Sequence, residues 1–122
     1  GTSIVRAAGV SIAVTGLSAA QARREGLRPI SAEITAKNRP GYFWPRRVWI
    51  QLVADSMSGR LLGGTVVGEE DASGRINVVA AALQARMKAS ALEQMDLAYA
   101  PPYANVTDPL LTAARQLSKL LD

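Results

Sequence analysis

A chain of 122 residues with neither histidine nor cysteine has few side chains able to do chemistry. Without histidine there is no Ser-His or Cys-His arrangement, no imidazole metal ligand and no side chain that titrates readily near neutral pH. Without cysteine there is no thiolate nucleophile, disulfide framework or thiolate metal site. Carboxylates, tyrosines and basic residues remain, and spacing alone assembles none of them into a catalytic constellation. The tyrosines draw most interest. Tyr99 and Tyr103 lie in "DLAYAPPYANVTDP" (96–109), where Pro101, Pro102 and Pro109 rule out a regular helix, and Tyr42 lies in "NRPGYFWPRR" beside Phe43 and Trp44. A tyrosine held by prolines loses little freedom on meeting a ligand, yet the same stiffness suits a purely structural connection, and aromatics are commonly core or interface packing. Both readings stay open on composition.

The net charge is +4, and four of the basic residues, Lys37, Arg39, Arg46 and Arg47, lie close together. Such a cluster is either a solvated strand edge or a place to meet an anion. Nucleic acid is not expected, because neither a recognition helix nor a stacking platform accompanies it. Glu69, Glu70 and Asp71 offer oxygen ligands for a hard cation, but they read better as negative charge at or just before a helix N-terminus. The glycines of "GGTVVGEE" have neither dinucleotide spacing nor a following Gly-Lys-Ser/Thr, so they read as a strand rather than a phosphate loop.

The elements that position these residues follow from periodicity. "SIVRAAGVSIAVTG" predicts one or two short strands, and "GLSAAQARREG" a helix capped by Ser18 and stopped by Gly26. In "RPISAEITAKN", Ile30, Ala32, Ile34 and Ala36 alternate with polar residues, and in "VWIQLVAD", Val48, Ile50, Leu52 and Ala54 share one face. "NRPGYFWPRR" is the loop between these two strands, and "DSMSG" turns the second into "RLLGGTVVG". The period then changes to 3.6: Ile76, Val79, Ala80, Leu83 and Met87 form one stripe, with Val78, Ala82 and Ala85 widening it. A short helix over about 90–96 follows, and Asp108 with Pro109 starts a final helix that buries Leu110, Ala114, Leu117 and Leu121. The expected class is α+β, an antiparallel sheet with one early helix and C-terminal helices packed on it.

With 48% apolar residues the chain is long enough for one core and short for two, so residues 1–122 are expected to form a single domain. The longest apolar run, "VVAAAL", is far below the roughly 20 residues needed to cross a bilayer, so no membrane span is expected. A chain that opens directly on a strand is expected to be a segment of something longer, and the lack of cysteine accords with a reducing, cytoplasmic setting.

In this order and spacing, "GTSIVRAAGVSIAVTGLSAAQARREG", "AKNRPGYFWP", "VADSMSGRLLGGTVVG" and "MDLAYAPPYANVTDPLLTAA" resemble the C-terminal dimerisation domain of FAD-dependent pyridine nucleotide-disulfide oxidoreductases. "DLAYAPPY" is most similar to the coenzyme A-disulfide reductase branch, related to NADH oxidases, NADH peroxidases and persulfide reductases. The resemblance implies upstream FAD- and NAD(P)H-binding domains, a redox cysteine in the FAD domain and a homodimer in which this domain reaches the opposite subunit's active site. It implies that Tyr42 and Tyr99 approach the partner's substrate-binding cysteine, with Tyr103 a weaker third. A phenol with a pKa near 10 would then donate a hydrogen bond or proton to a departing thiolate. Arg39, Arg46 and Arg47, clustered beside Tyr42, would help attract a phosphorylated substrate such as coenzyme A disulfide. The wide stripe on the Ile76–Met87 helix and the last helix would be half-interfaces. The missing histidine disfavours the glutathione reductase branch, and Ala104, Asn105 and Thr107 depart from the branch's usual residues. The alternatives are the same domain in an oxidase or peroxidase, and a free-standing interaction module without catalysis.

Overall fold

The computed structural model describes residues 1–37, 46–97 and 108–121. Strands β1 (Thr2–Ala7) and β2 (Val10–Gly16) form a hairpin, and helix α1 (Ala19–Arg24) carries the chain to β3 (Pro29–Lys37). Strands β4 (Arg47–Asp55) and β5 (Leu61–Gly68) form a second hairpin, followed by α2 (Ala72–Gln84), α3 (Ala89–Leu92) and α4 (Pro109–Leu121). The five strands make one antiparallel sheet in the order β1-β2-β5-β4-β3. The expected α+β class is the observed one.

Local chemistry accounts for the boundaries. The Ser18 hydroxyl accepts from the Gln21 N–H while the Gln21 side chain accepts from the Ser18 N–H, a reciprocal capping box, and Gly26 ends the turn at φ +82°. At α4 the Asp108 carboxylate accepts from the Leu110 N–H at 2.8 Å, and Pro109 occupies the first helical position, where no N–H is required.

Alternation along the strands makes one face of the sheet apolar. Ala13, Val48, Ile50, Leu52 and Val66 are buried on it, α2 lies over β2 and β5, and α4 lies over β3 and β4. Ile76, Val79 and Ala82 of α2, and Leu110, Ala113, Ala114 and Leu117 of α4, complete the core. Each large side chain so buried contributes roughly 1.5–3 kcal/mol. The paired glycines of β5 serve both faces. A side chain at Gly64 would press on Val79 and Leu52, and one at Gly63 would overlap the main chain of Leu17, which crosses the opposite face and donates its N–H to the Leu62 carbonyl at 2.8 Å.

The structure revises three expectations. Helix α3 spans only Ala89–Leu92 instead of running to Asp96. Helix α2 ends at Gln84, so Ala85 is an exposed cap and Met87 lies beyond it. The stripe expected to await a partner is largely used within the chain, since Ile76, Val79 and Ala82 are buried against the sheet. The exposed large apolar residues among those described are instead concentrated on the hairpin: Ile4, Val5, Ile12 and Val14, with Met57 and Leu120 elsewhere. No helix among the described residues is long and apolar enough to cross a membrane.

Candidate functional site

Tyr42 and Arg39 fall within 38–45, and Tyr99 and Tyr103 within 98–107, so all four lie outside the described residues. Their flanks are described. Lys37, the last residue of β3, is the cross-strand partner of Arg47, the first of β4, so 38–45 joins two strands at one end of the sheet. Val48 pairs with Gly68 at the end of β5, and Gly68 pairs with Ser11 of β2. The chain passes from Gly68 through Glu69 and Glu70 into the first turn of α2 at that same end.

The basic cluster is partly neutralised there. Arg46 Nε lies 2.9 Å from Glu69 Oε2. Arg6 Nη1, from β1, donates weakly to the Glu69 carbonyl at 3.5 Å. Arg47 is exposed and lines a concavity of about 240 Å³ with Thr35, Trp49 and Val67 on the sheet face that lacks helices. The acidic run occupies the place expected for it: Asp71 is the residue before α2, at φ +53°, and its carboxylate makes no capping hydrogen bond. No group of carboxylates able to hold a metal ion is found among the described residues. Gly63 and Gly64 leave no room for a phosphate, because Leu17 and Val79 fill the space their side chains would take. The described residues therefore do not fit a dinucleotide.

The strongest interaction at this end escaped the sequence reading. Arg75, one turn into α2, is buried and grips Asp108 with two bonds, Nε to Oδ1 at 3.1 Å and Nη2 to Oδ2 at 3.0 Å. Asp108 immediately follows 98–107. The flanks of both tyrosine-bearing segments thus meet one end of the sheet, the first through Lys37 and Arg46, the second through Asp108 and α2. The available signal was Arg75 itself, a charge set between Ala72, Ile76 and Val79 on the buried side of a helix, where only a paired charge is tolerated.

An α+β domain that covers one sheet face, leaves apolar side chains on the other and gathers no metal-ligand cluster among its described residues has the character of an assembly domain. The comparisons give that class its family. The chain belongs to the pyridine nucleotide-disulphide oxidoreductase dimerisation domain family, whose profile matches residues 3–110. It is 42% identical over 118 residues to the NAD(P)H coenzyme A polysulfide/persulfide reductase of Pyrococcus horikoshii, covering 96% of this chain and 26% of that protein. Two solved structures are similar in fold and sequence. The reduced CoADR-RHD of Bacillus anthracis superposes with a TM-score of 0.94 at 27% identity, over 99% of this chain and 22% of that one. The NAD-dependent persulfide reductase of A. fulgidus superposes at 0.93 with 29% identity, over 98% and 22%. The chain spans about a quarter of the length of the curated relatives it matches.

Proposed function

We propose that this chain is the dimerisation domain of a cytoplasmic flavoprotein that uses NAD(P)H to reduce coenzyme A-linked sulfur, as a disulfide, persulfide or polysulfide. The observation that carries this reading is the 42% identity to a coenzyme A polysulfide/persulfide reductase over 96% of the chain. FAD and NAD(P)H belong to other parts of the parent protein, since the described residues do not fit either. The domain pairs two subunits and sends Tyr42 and Tyr99, with Tyr103 in a lesser role, toward the partner's pocket. That both segments flank one end of the sheet supports this assignment. There a neutral phenol donates to the leaving thiolate without becoming a competing thiol. Arg39 and Arg47 attract a phosphorylated substrate, and Arg46, bonded to Glu69, adds to the positive field.

The test is made on the full-length parent, with the two half-reactions followed separately. Tyr42→Phe and Tyr99→Phe are expected to slow reduction of coenzyme A disulfide or persulfide by about tenfold or more, the usual worth of a positioned acid, while FAD reduction by NAD(P)H stays nearly unchanged. Equal losses in both half-reactions would make the tyrosines structural. Electrons delivered to oxygen in preference to coenzyme A disulfide would reassign the acceptor and leave the domain's role in place.

A further inference from the structure

We infer that Arg75 is a positioning residue for segment 98–107, acting through Asp108; the inference rests on the reading that Tyr99 serves a partner subunit's pocket. Asp108 has two tasks. Its Oδ1 caps α4 by accepting the Leu110 N–H at 2.8 Å, and both its oxygens receive the Arg75 guanidinium at 3.0 and 3.1 Å. Arg75 is 4% exposed and Asp108 9%.

Stability is a poor explanation for such a pair. Desolvating two charges offsets most of their attraction, and apolar residues of similar volume commonly hold a buried site as well. Here the accounting is worse still, because Arg75 Nη1 is buried with no hydrogen-bond partner, 3.9 Å from the nearest Asp71 oxygen. What the pair supplies is direction. A planar guanidinium making two parallel bonds fixes a carboxylate in distance and in orientation, which an apolar contact or a single ammonium does not. The carboxylate so fixed belongs to the residue at which 98–107 rejoins the core, while Leu97 at the other end is half-buried against that core. Arg75 in turn sits one turn into α2, directly after the β5 end that pairs with β4 beside Lys37 and Arg47. The guanidinium therefore registers the end of the Tyr99 segment against the part of the sheet from which the Tyr42 segment leaves.

The experiment uses the full-length parent, with Arg75→Lys, Asp108→Asn and the double variant Arg75→Met/Asp108→Asn, each assayed for both half-reactions and for melting temperature, with Tyr99→Phe in parallel. Arg75→Lys keeps the charge and loses the fork, and Asp108→Asn keeps the oxygen that caps Leu110. Each is expected to slow sulfur reduction by about tenfold or more, the scale of a misplaced contact, with FAD reduction within about twofold of the parent. The double variant removes the charge mismatch left by Arg75→Met alone, and it is expected to recover melting temperature without recovering the sulfur step. A sulfur step that recovers with melting temperature, or half-reactions that fall together, overturns the inference. If Tyr99→Phe slows sulfur reduction and Arg75→Lys does not, the inference fails alone; if Tyr99→Phe leaves it intact, the functional reading fails and takes the inference with it.

Discussion

Ile50 and Ile12 belong to the same antiparallel sheet, with only β5 between their strands, yet Ile50 is fully buried and Ile12 is 46% exposed. They point to opposite faces. Ile50 lies under the helices with Val48, Leu52 and Val66, whereas Ile12 lies with Val14 and Val5 on a face that no helix covers. A lone domain with an antiparallel sheet usually makes its open face polar. Here the β3 and β4 portion follows that rule with Glu33, Thr35 and Gln51, and the β1–β2 hairpin breaks it. The difference separates what the domain needs in order to fold from what it holds for contacts outside itself. Ile50→Ala in the 122-residue chain is expected to cost about 2–5 kcal/mol by chemical denaturation, from lost burial plus a cavity. Ile12→Ala is expected to stay within about 0.5 kcal/mol, the range of surface substitutions. If Ile12→Ala becomes costly in the full-length parent while remaining neutral in the isolated chain, the open hairpin is a face that the rest of the assembly covers. Equal costs for the two substitutions in the isolated chain would erase the distinction between the faces.

Much of this architecture was legible in the sequence, and the exceptions have a common cause. The alternation of Ile30, Ala32, Ile34 and Ala36, the Ser18 cap and the Asp108-Pro109 helix start are local signals, and each appears where expected. Pairing of distant strands is not local. Nothing in the pattern of Val10, Ile12 and Val14 says that β5 will lie beside β2, or that the apolar residues at 12 and 14 will face away from the helices while Ala13 faces them. The Arg75–Asp108 grip spans 33 residues and was invisible for the same reason. At the candidate site, Arg46 and Arg47 were legible as charges, but the Glu69 partner of Arg46 was not, and the tyrosines lie outside the described residues.

The open face has one covered corner, and this allows a finer test. Val53 lies on that face yet is only 3% exposed. Its cross-strand partner is Gly63, over which the Leu17 main chain passes on its way into α1. The covering is held by the Ser18–Gln21 capping box. Ser18→Ala is expected to cost about 1 kcal/mol, the usual worth of an N-cap, well below the Ile50→Ala effect. The loss should be local, seen as faster amide hydrogen exchange at Leu17 and Ala22 with β3 to β5 little changed. Protection lost evenly across the sheet would mean that α1 belongs to the main cooperative core.

The smallest effect is expected at the β4–β5 turn, which serves both faces equally. The Ser58 hydroxyl donates to Asp55 Oδ2 at 2.8 Å, and this bond, aided by main-chain donors at Met57, Ser58 and Arg28, holds the Asp55 carboxyl below its ordinary value of 3.8 despite its exposure. The folded state thus favours the carboxylate more than the unfolded chain does. The contribution is present above the unfolded value and disappears as pH falls through the lowered folded one, when the turn must accept a proton. Asp55→Asn should remove this component, so the denaturation midpoint should fall slightly less between about pH 6 and about pH 3 than it does in the parent chain. Solvent screens so exposed a group, which keeps the difference small and makes it weaker still at high salt. An Asp55→Asn midpoint that falls as steeply as the parent's would mean the acid sensitivity resides in other carboxylates, with Asp108, the buried one at the opposite end of the sheet, the first to examine.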